Sequence, residues 1–311
     1  MSRGPFMLRK LVILAAIAAA VGLGVFWFIT IPATVPASAL GPHNVNLDNG
    51  KTLFFAGGCA SCHAVPNQED KTRLGGGVAL KSPFGTFYPP NISPDRNDGI
   101  GAWSEADFVT AMVKGTAPDG RHYYPAFPYT SYQRMSFADL RDLFGYLKTL
   151  PPVPGRVRDH ELPFPFNIRR TLGGWKFLFL DGEALRPDPS KSAAWNRGAY
   201  LVNGPGHCAE CHSPRNLMGG IVRGQRFAGG PAANGDGWVP NITQHGLDKW
   251  SEAQIAKLLE TGEQPGGDTV GGEMGKVVGN TKNLSAADRA AMAAYLKSLP
   301  AVEGPKQPES K

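Results

Sequence analysis

Cysteine is scarce in this chain: there are four in 311 residues. All four fall in two short motifs, Cys59-Ala-Ser-Cys62-His63 and Cys208-Ala-Glu-Cys211-His212. Charge is scarce too. Only 19% of residues are charged, and no basic run is present, which excludes a nucleic-acid-binding surface. Of the net charge of +6, Arg3, Arg9 and Lys10 supply half, so the remainder is close to balanced. With 39 Gly and 27 Pro, the composition describes compact domains with long loops rather than a helix-rich bundle or a disordered tail. The length allows two modest domains, each with its own core.

No charge interrupts the 21 residues from Leu11 to Ile31. As a helix rising about 1.5 Å per residue, that run spans roughly the 30 Å hydrocarbon core of a bilayer. Arg3, Arg9 and Lys10 precede it with no acidic residue nearby, so the positive-inside tendency places the N-terminus in the cytoplasm and everything after Pro32 in the periplasm. The alternative is a cleaved signal peptide, because Ala37-Ser38-Ala39 has a small-x-small cleavage pattern. The apolar run exceeds the usual signal-peptide core, which favours a single-pass anchor. Both readings put the cysteines outside the cytoplasmic membrane.

An oxidising compartment favours disulfides, but a disulfide needs no histidine after its second cysteine. Structural zinc needs its two cysteine pairs close together, and these are 149 residues apart. Haem attachment accounts for the whole motif: the two thiols add to the porphyrin vinyl groups, and the next residue brings an imidazole under the iron. Two copies predict two covalently bound haem c groups, held by Cys59 and Cys62 with His63, and by Cys208 and Cys211 with His212.

The surroundings repeat as well. Pro90-Asn91-Ile92-Ser93 returns as Pro240-Asn241-Ile242-Thr243, Trp103-Ser104-Glu105 as Trp250-Ser251-Glu252, and Tyr146-Leu147-Lys148 as Tyr295-Leu296-Lys297. The chain is a tandem duplication. Each repeat reads as helices: Lys51 to Gly57 and Ala194 to Val202 before the motif, then Glu105 to Lys114 and Glu252 to Thr261, then Phe137 to Thr149 and Ala286 to Ser298. Ser104, Ser136, Ser251 and Ser285 start the later helices, and Pro151 and Pro300 stop the last ones. The fold class expected is all-α, with few strands. The expected division is an anchor at 1–35, domains at 40–152 and 192–302, an interdomain segment at 153–191 and a tail at 303–311.

These residues resemble the cytochrome c family, whose members fold a few helices around one covalently held haem. Lys114 to Gly120 and Tyr124 to Tyr129 look like the cytochrome subunits of bacterial membrane-bound alcohol and aldehyde dehydrogenases. Those subunits commonly carry three haem motifs, and this chain has two. Electron-carrying cytochromes typically place methionine opposite histidine. In the second repeat Met274 is the candidate, in a loop between helices; Met218 follows His212 too soon, and Met292 lies on an apolar helix face. In the first repeat Met135 is the candidate, just before the last helix, with His122 as the alternative and Met112 in mid-helix. Met135 and Met274 do not align between the repeats. The similar subunits carry methionine where this chain has Met135.

Arg215 is a candidate partner for a haem propionate, or else a solvated loop arginine. Trp103 and Trp250 repeat in position, either at the haem edge or in the core. His43, His160, His207 and His245 have no repeated counterparts and read as surface or packing residues. The apolar stretch at 164–180 is too greasy for a free linker; it packs the domains together or faces a partner or a membrane surface. The function expected is transfer of single electrons, without catalysis, from a periplasmic dehydrogenase of flavin, quinone or molybdenum type to a terminal oxidase or soluble cytochrome. The alternative is a dihaem redox enzyme of peroxidase or thiosulfate-oxidising type.

Overall fold

The computed structural model describes residues 4–182 and 184–307. Arg3, counted above among the N-terminal basic residues, and residues 308–311 of the expected tail lie outside the described residues. Helix α1 (Gly4–Ile29) forms because its apolar run contains no proline and no charge beyond Lys10. From Met7 to Ile29 it is long and apolar enough to cross a membrane, and none of its most apolar stretch is buried, so it is not the core helix of a domain. Its end is built into the fold. Thr30 is fully buried and Val35 joins the first core, where the Val35 amide donates to Thr110 Oγ1 at 2.9 Å.

Each repeat then runs through a similar series. The first has α2 (Leu47–Ala56), the motif helix α3 (Cys59–His63), a hairpin of β1 (Leu80–Ser82) and β2 (Gly85–Phe87), α4 (Glu105–Lys114), the short α5 (Tyr129–Tyr132) and α6 (Phe137–Lys148). The second, after the linking helix α7 (Thr171–Phe179), has α8 (Ala193–Asn203), a hairpin of β3 (Gly230–Pro231) and β4 (Trp238–Val239), α9 (Gln244–Leu247), α10 (Glu252–Thr261), α11 (Gly272–Thr281) and α12 (Ala286–Ser298). Both hairpins are antiparallel. The serine starts act as read: Ser104, Ser136, Ser251 and Ser285 each accept the amide of the third helical residue.

The first and last helices of each repeat cross closely, α2 on α6 and α8 on α12. Glycine makes this approach possible. A Cβ on Gly50 would sit 2.1 Å from the Asp142 carbonyl oxygen, and one on Gly198 1.9 Å from that of Ala291. The cores follow from these crossings. Leu53, Phe54, Val109, Leu140 and Leu143 fill the first, and Leu201, Ile255, Leu259, Met292 and Leu296 fill the second. Phe55 packs against both, so the two cores meet at a seam.

Helix α7 is not a free linker. Its Leu172 and Trp175 are buried, and Lys176 Nζ donates to the Gly115 carbonyl at 2.5 Å and contacts His122 Nδ1 at 3.0 Å. Burial pulls the Lys176 pKa down to about 7. His122 Nε2 donates to the Thr30 carbonyl at 3.0 Å. Both ring nitrogens of His122 are therefore engaged, Nε2 at the base of α1 and Nδ1 by Lys176 of α7.

Candidate functional site

Entry to each motif needs a left-handed turn. In the first repeat Gly58 adopts it, with φ 56°, at no steric cost. In the second the equivalent residue is His207, with φ 38°, a conformation that costs a β-carbon-bearing residue about 1 kcal/mol or more. The side chain explains why histidine stands there. His207 Nε2 donates to the Gly57 carbonyl of the first repeat at 3.2 Å, and its ring lies edge-on to Tyr132 with centroids 5.8 Å apart. His207 thus joins the two motifs, which was not apparent from its lack of a repeated counterpart.

His63 and His212 are held alike. His63 Nδ1 donates to the Pro90 carbonyl at 2.7 Å, and His212 Nδ1 to the Pro240 carbonyl at 2.8 Å. This fixes the tautomer and leaves each Nε2 as an unprotonated donor atom aimed away from the carbonyl. Burial lowers both histidine pKa values, opposed in part by those same carbonyls, and so favours the neutral imidazole that a metal requires. No disulfide joins the four cysteines, and burial pushes the Cys59 and Cys208 thiols, before any attachment, up to about 12. Redox-active dithiols show the opposite shift.

The repeated Pro-Asn-Ile-Ser/Thr motif has a role that its recurrence alone does not disclose. Its proline carbonyl orients the histidine, while its asparagine anchors the loop: Asn91 Nδ2 donates to the Val153 carbonyl at 2.6 Å and Asn241 Nδ2 to that of Val302 at 2.8 Å. The loop is tied to the other side of the motif by Gly76 N to His63 O at 2.7 Å and Gly229 N to His212 O at 2.9 Å. The repeated lysines act similarly. Lys148 Nζ donates to Gly101 O at 2.6 Å, and Lys297 Nζ to Leu247 O at 2.8 Å, just ahead of Trp103 and Trp250. Both tryptophans are half-buried against their cores.

Met135 is buried at 1% exposure in the first core and borders the seam, its Cγ 3.3 Å from where a Cβ on Gly204 would lie. Met274 is half-buried against the second core. It lies in the first turn of α11 rather than in a loop, because Val278, Asn280 and Thr281 of that segment are buried and wind it into a helix. Met112 and Met292 are core residues of α4 and α12, and Met218 is exposed. Arg215 turns to Glu210 inside the second motif: Nη2 donates to Glu210 Oε2 at 2.7 Å and to its carbonyl at 2.6 Å. Thr130 and Ser131 of the first repeat donate to the same carboxylate at 2.7 and 2.8 Å. Burial raises the Glu210 pKa, but Arg215 and the two hydroxyls outweigh it, and the net shift is downward.

The two motifs abut. Asn280 Nδ2 donates to Ser61 Oγ at 2.8 Å, and His207 at the entry to the second motif reaches the Gly57 carbonyl at the entry to the first. The donor set fits two covalently attached haems: each repeat has two thiols, one oriented imidazole and methionine sulfurs on the same core, Met135 and Met112 in the first and Met274 and Met292 in the second. Tyr129 adds an independent sign. Its hydroxyl is buried with no hydrogen-bond partner among the described residues, as expected where a bound group completes the interior.

A family model described as cytochrome c matches residues 47–151 and 196–300. A dihaem cytochrome c-type protein of Cereibacter sphaeroides is 48% identical over 256 residues, covering 82% of this chain and 86% of that protein. A nicotinate dehydrogenase component of Pseudomonas putida is 43% identical over 256 residues, covering 81% of this chain but 21% of that protein. The fructose dehydrogenase cytochrome subunit of Gluconobacter japonicus is 36% identical over 271 residues, covering 86% of this chain and 54% of the subunit.

Proposed function

The chain belongs to the cytochrome c family and carries two covalently bound haem c groups, and we propose that it is a membrane-anchored carrier passing single electrons from a periplasmic dehydrogenase to a terminal oxidase or soluble cytochrome. The carrying observation is the abutment of the two motifs through His207, Ser61 and Asn280, which suits passage of charge from one repeat to the other. The bound groups supply one-electron iron chemistry. Cys59, Cys62, Cys208 and Cys211 would hold them covalently, with His63 and Met135 as iron ligands in the first repeat and His212 and Met274 in the second. With those eight residues engaged, neither iron would keep a position for substrate. Arg215 holds Glu210 in its ionised form beside the second site, and its Nη1 is taken by the Gly219 carbonyl at 2.8 Å.

A dehydrogenase donor is supported by the relatives, of which one is named as a dehydrogenase cytochrome subunit and another as part of a dehydrogenase. The donor class is a flavin, quinone or molybdenum enzyme. Retention of α1 as an anchor is supported by buried Thr30 and Val35, which lie ahead of the candidate cleavage site at Ala37-Ser38-Ala39. The basic residues Arg9 and Lys10 support a cytoplasmic start and periplasmic haem domains. Purification from native membranes tests the reading: a dehydrogenase should accompany the protein, and its substrate should reduce both haems. A protein that purifies alone and turns over peroxide or thiosulfate itself would overturn it.

A further inference from the structure

The segment at 162–180 holds Arg169, Arg170 and Lys176 and no acidic residue. One face of α7 is consumed by the first repeat through Leu172, Trp175 and Lys176, as described above. The other face is apolar and open: Phe177 is 70% exposed, Leu178 is exposed beside it, and Phe164 ahead of the helix is 78% exposed. The second repeat borders the segment. Trp175 Nε1 donates to the Met218 carbonyl at 2.9 Å, and the adjacent Leu217 is wholly exposed. Soluble surfaces rarely leave a contiguous apolar patch of this kind uncovered.

Where the segment is fastened identifies what covers it. Arg170 Nε donates to Thr30 Oγ1 at 2.7 Å, Nη2 donates to the Trp27 carbonyl at 2.9 Å, and the guanidinium lies 4.1 Å from the Trp27 ring centre. Gly173 lies against Thr30 so closely that a Cβ would come within 2.5 Å of the Thr30 Cα. The segment is therefore clamped to the last turn of α1, where a membrane-spanning helix leaves the hydrocarbon and where tryptophan and arginine are at home. Aromatic and aliphatic side chains continuous with that exit, with Arg169 and Arg170 among them and the acidic Glu161 and Asp181 only at the two ends of the segment, have the chemistry of an interfacial segment on a bilayer.

We infer that the surface formed by Phe164, Phe177, Leu178 and Leu217 rests in the headgroup layer of the membrane, so that the haem domains are held at a fixed orientation to the bilayer rather than tethered loosely. The inference rests on α1 being retained as an anchor. The test uses the full haem-loaded chain in nanodiscs of phosphatidylethanolamine and phosphatidylglycerol, with single nitroxide labels placed through Phe177→Cys, Leu217→Cys, Ile17→Cys and, as a surface control, Lys257→Cys. Accessibility to oxygen and to a water-soluble nickel chelate is then measured. Labels at 177 and 217 should be accessible to oxygen and shielded from nickel, between the values at 17 and 257. A label at 177 as open to nickel as that at 257, with 17 in hydrocarbon, overturns the docking and leaves the anchor standing. Shielding of 177 from both reagents assigns the surface to a protein partner and overturns it too. A label at 17 in water overturns the anchor reading and the docking with it.

Discussion

His207 repeats the position of Gly58 but not its residue type, and the difference separates local cost from long-range gain. Replacing it with glycine removes both the left-handed strain and the bond to Gly57, whereas alanine keeps the strain and loses the bond. His207→Ala should therefore be less stable than His207→Gly by about 1 kcal/mol, read from denaturant midpoints. Equal midpoints would mean that the turn is unstrained. The methionines carry a sharper expectation. Met274→Ala should open the second iron, lower its potential through loss of the thioether, and allow carbon monoxide to bind at that haem alone; Met135→Ala should do the same at the first. The two cysteine and histidine motifs stand out in the sequence because their chemistry is written in residue type and spacing, whereas the choice of Met135 and Met274 among the methionines has no such spacing behind it and is what these variants test. The carbonyls of Pro90 and Pro240 do not stand out, since a backbone acceptor has no signature of its own; only the recurrence of the four-residue motif marked the place.

Helix limits were legible wherever a serine cap met an amphipathic run. Glu105–Lys114, Glu252–Thr261 and Ala286–Ser298 have the expected limits, whereas α2 begins at Leu47, about a turn before the expected Lys51, and α8 at Ala193, one residue before the expected Ala194. Helix α11 was hidden because Gly-Gly-Glu-Met-Gly reads as loop, and its helical state is set by burial against the rest of the repeat. The helix crossings were hidden for another reason: Gly50 and Gly198 are ordinary in sequence, and only the packed pair of helices reveals that nothing larger fits. Gly50→Ala and Gly198→Ala should each destabilise the protein by about 3 kcal/mol or more, because backbone must move to admit the methyl. Gly279, on α11 with nothing near a Cβ, is the control, and Gly279→Ala should leave stability equal or raise it by up to about 1 kcal/mol. Thermal unfolding of the three variants decides, and an unaffected Gly198→Ala would contradict the crossing geometry.

At the scale of the molecule, an apolar helix, two haem repeats and a linking segment form one structure because the parts are tied at residues that a sequence shows only as isolated letters. Thr30, His122 and Arg170 fasten α1 to the first repeat, and Glu210, His207 and Asn280 fasten the repeats to each other. Cleavage after Ala39 would take Thr30 and Val35 out of buried sites. The intact mass of the detergent-extracted protein should therefore include α1; a chain beginning at Leu40 would show α1 to be a removed signal. As an electron carrier, the protein should keep no iron open to substrate. Exposure of the fully reduced wild-type protein to carbon monoxide tests it most directly: the spectra of both haems should stay unchanged, with the near-infrared sulfur-to-iron band present for both in the oxidised state. Carbon monoxide binding at either haem of the wild type would contradict the carrier and favour a dihaem enzyme.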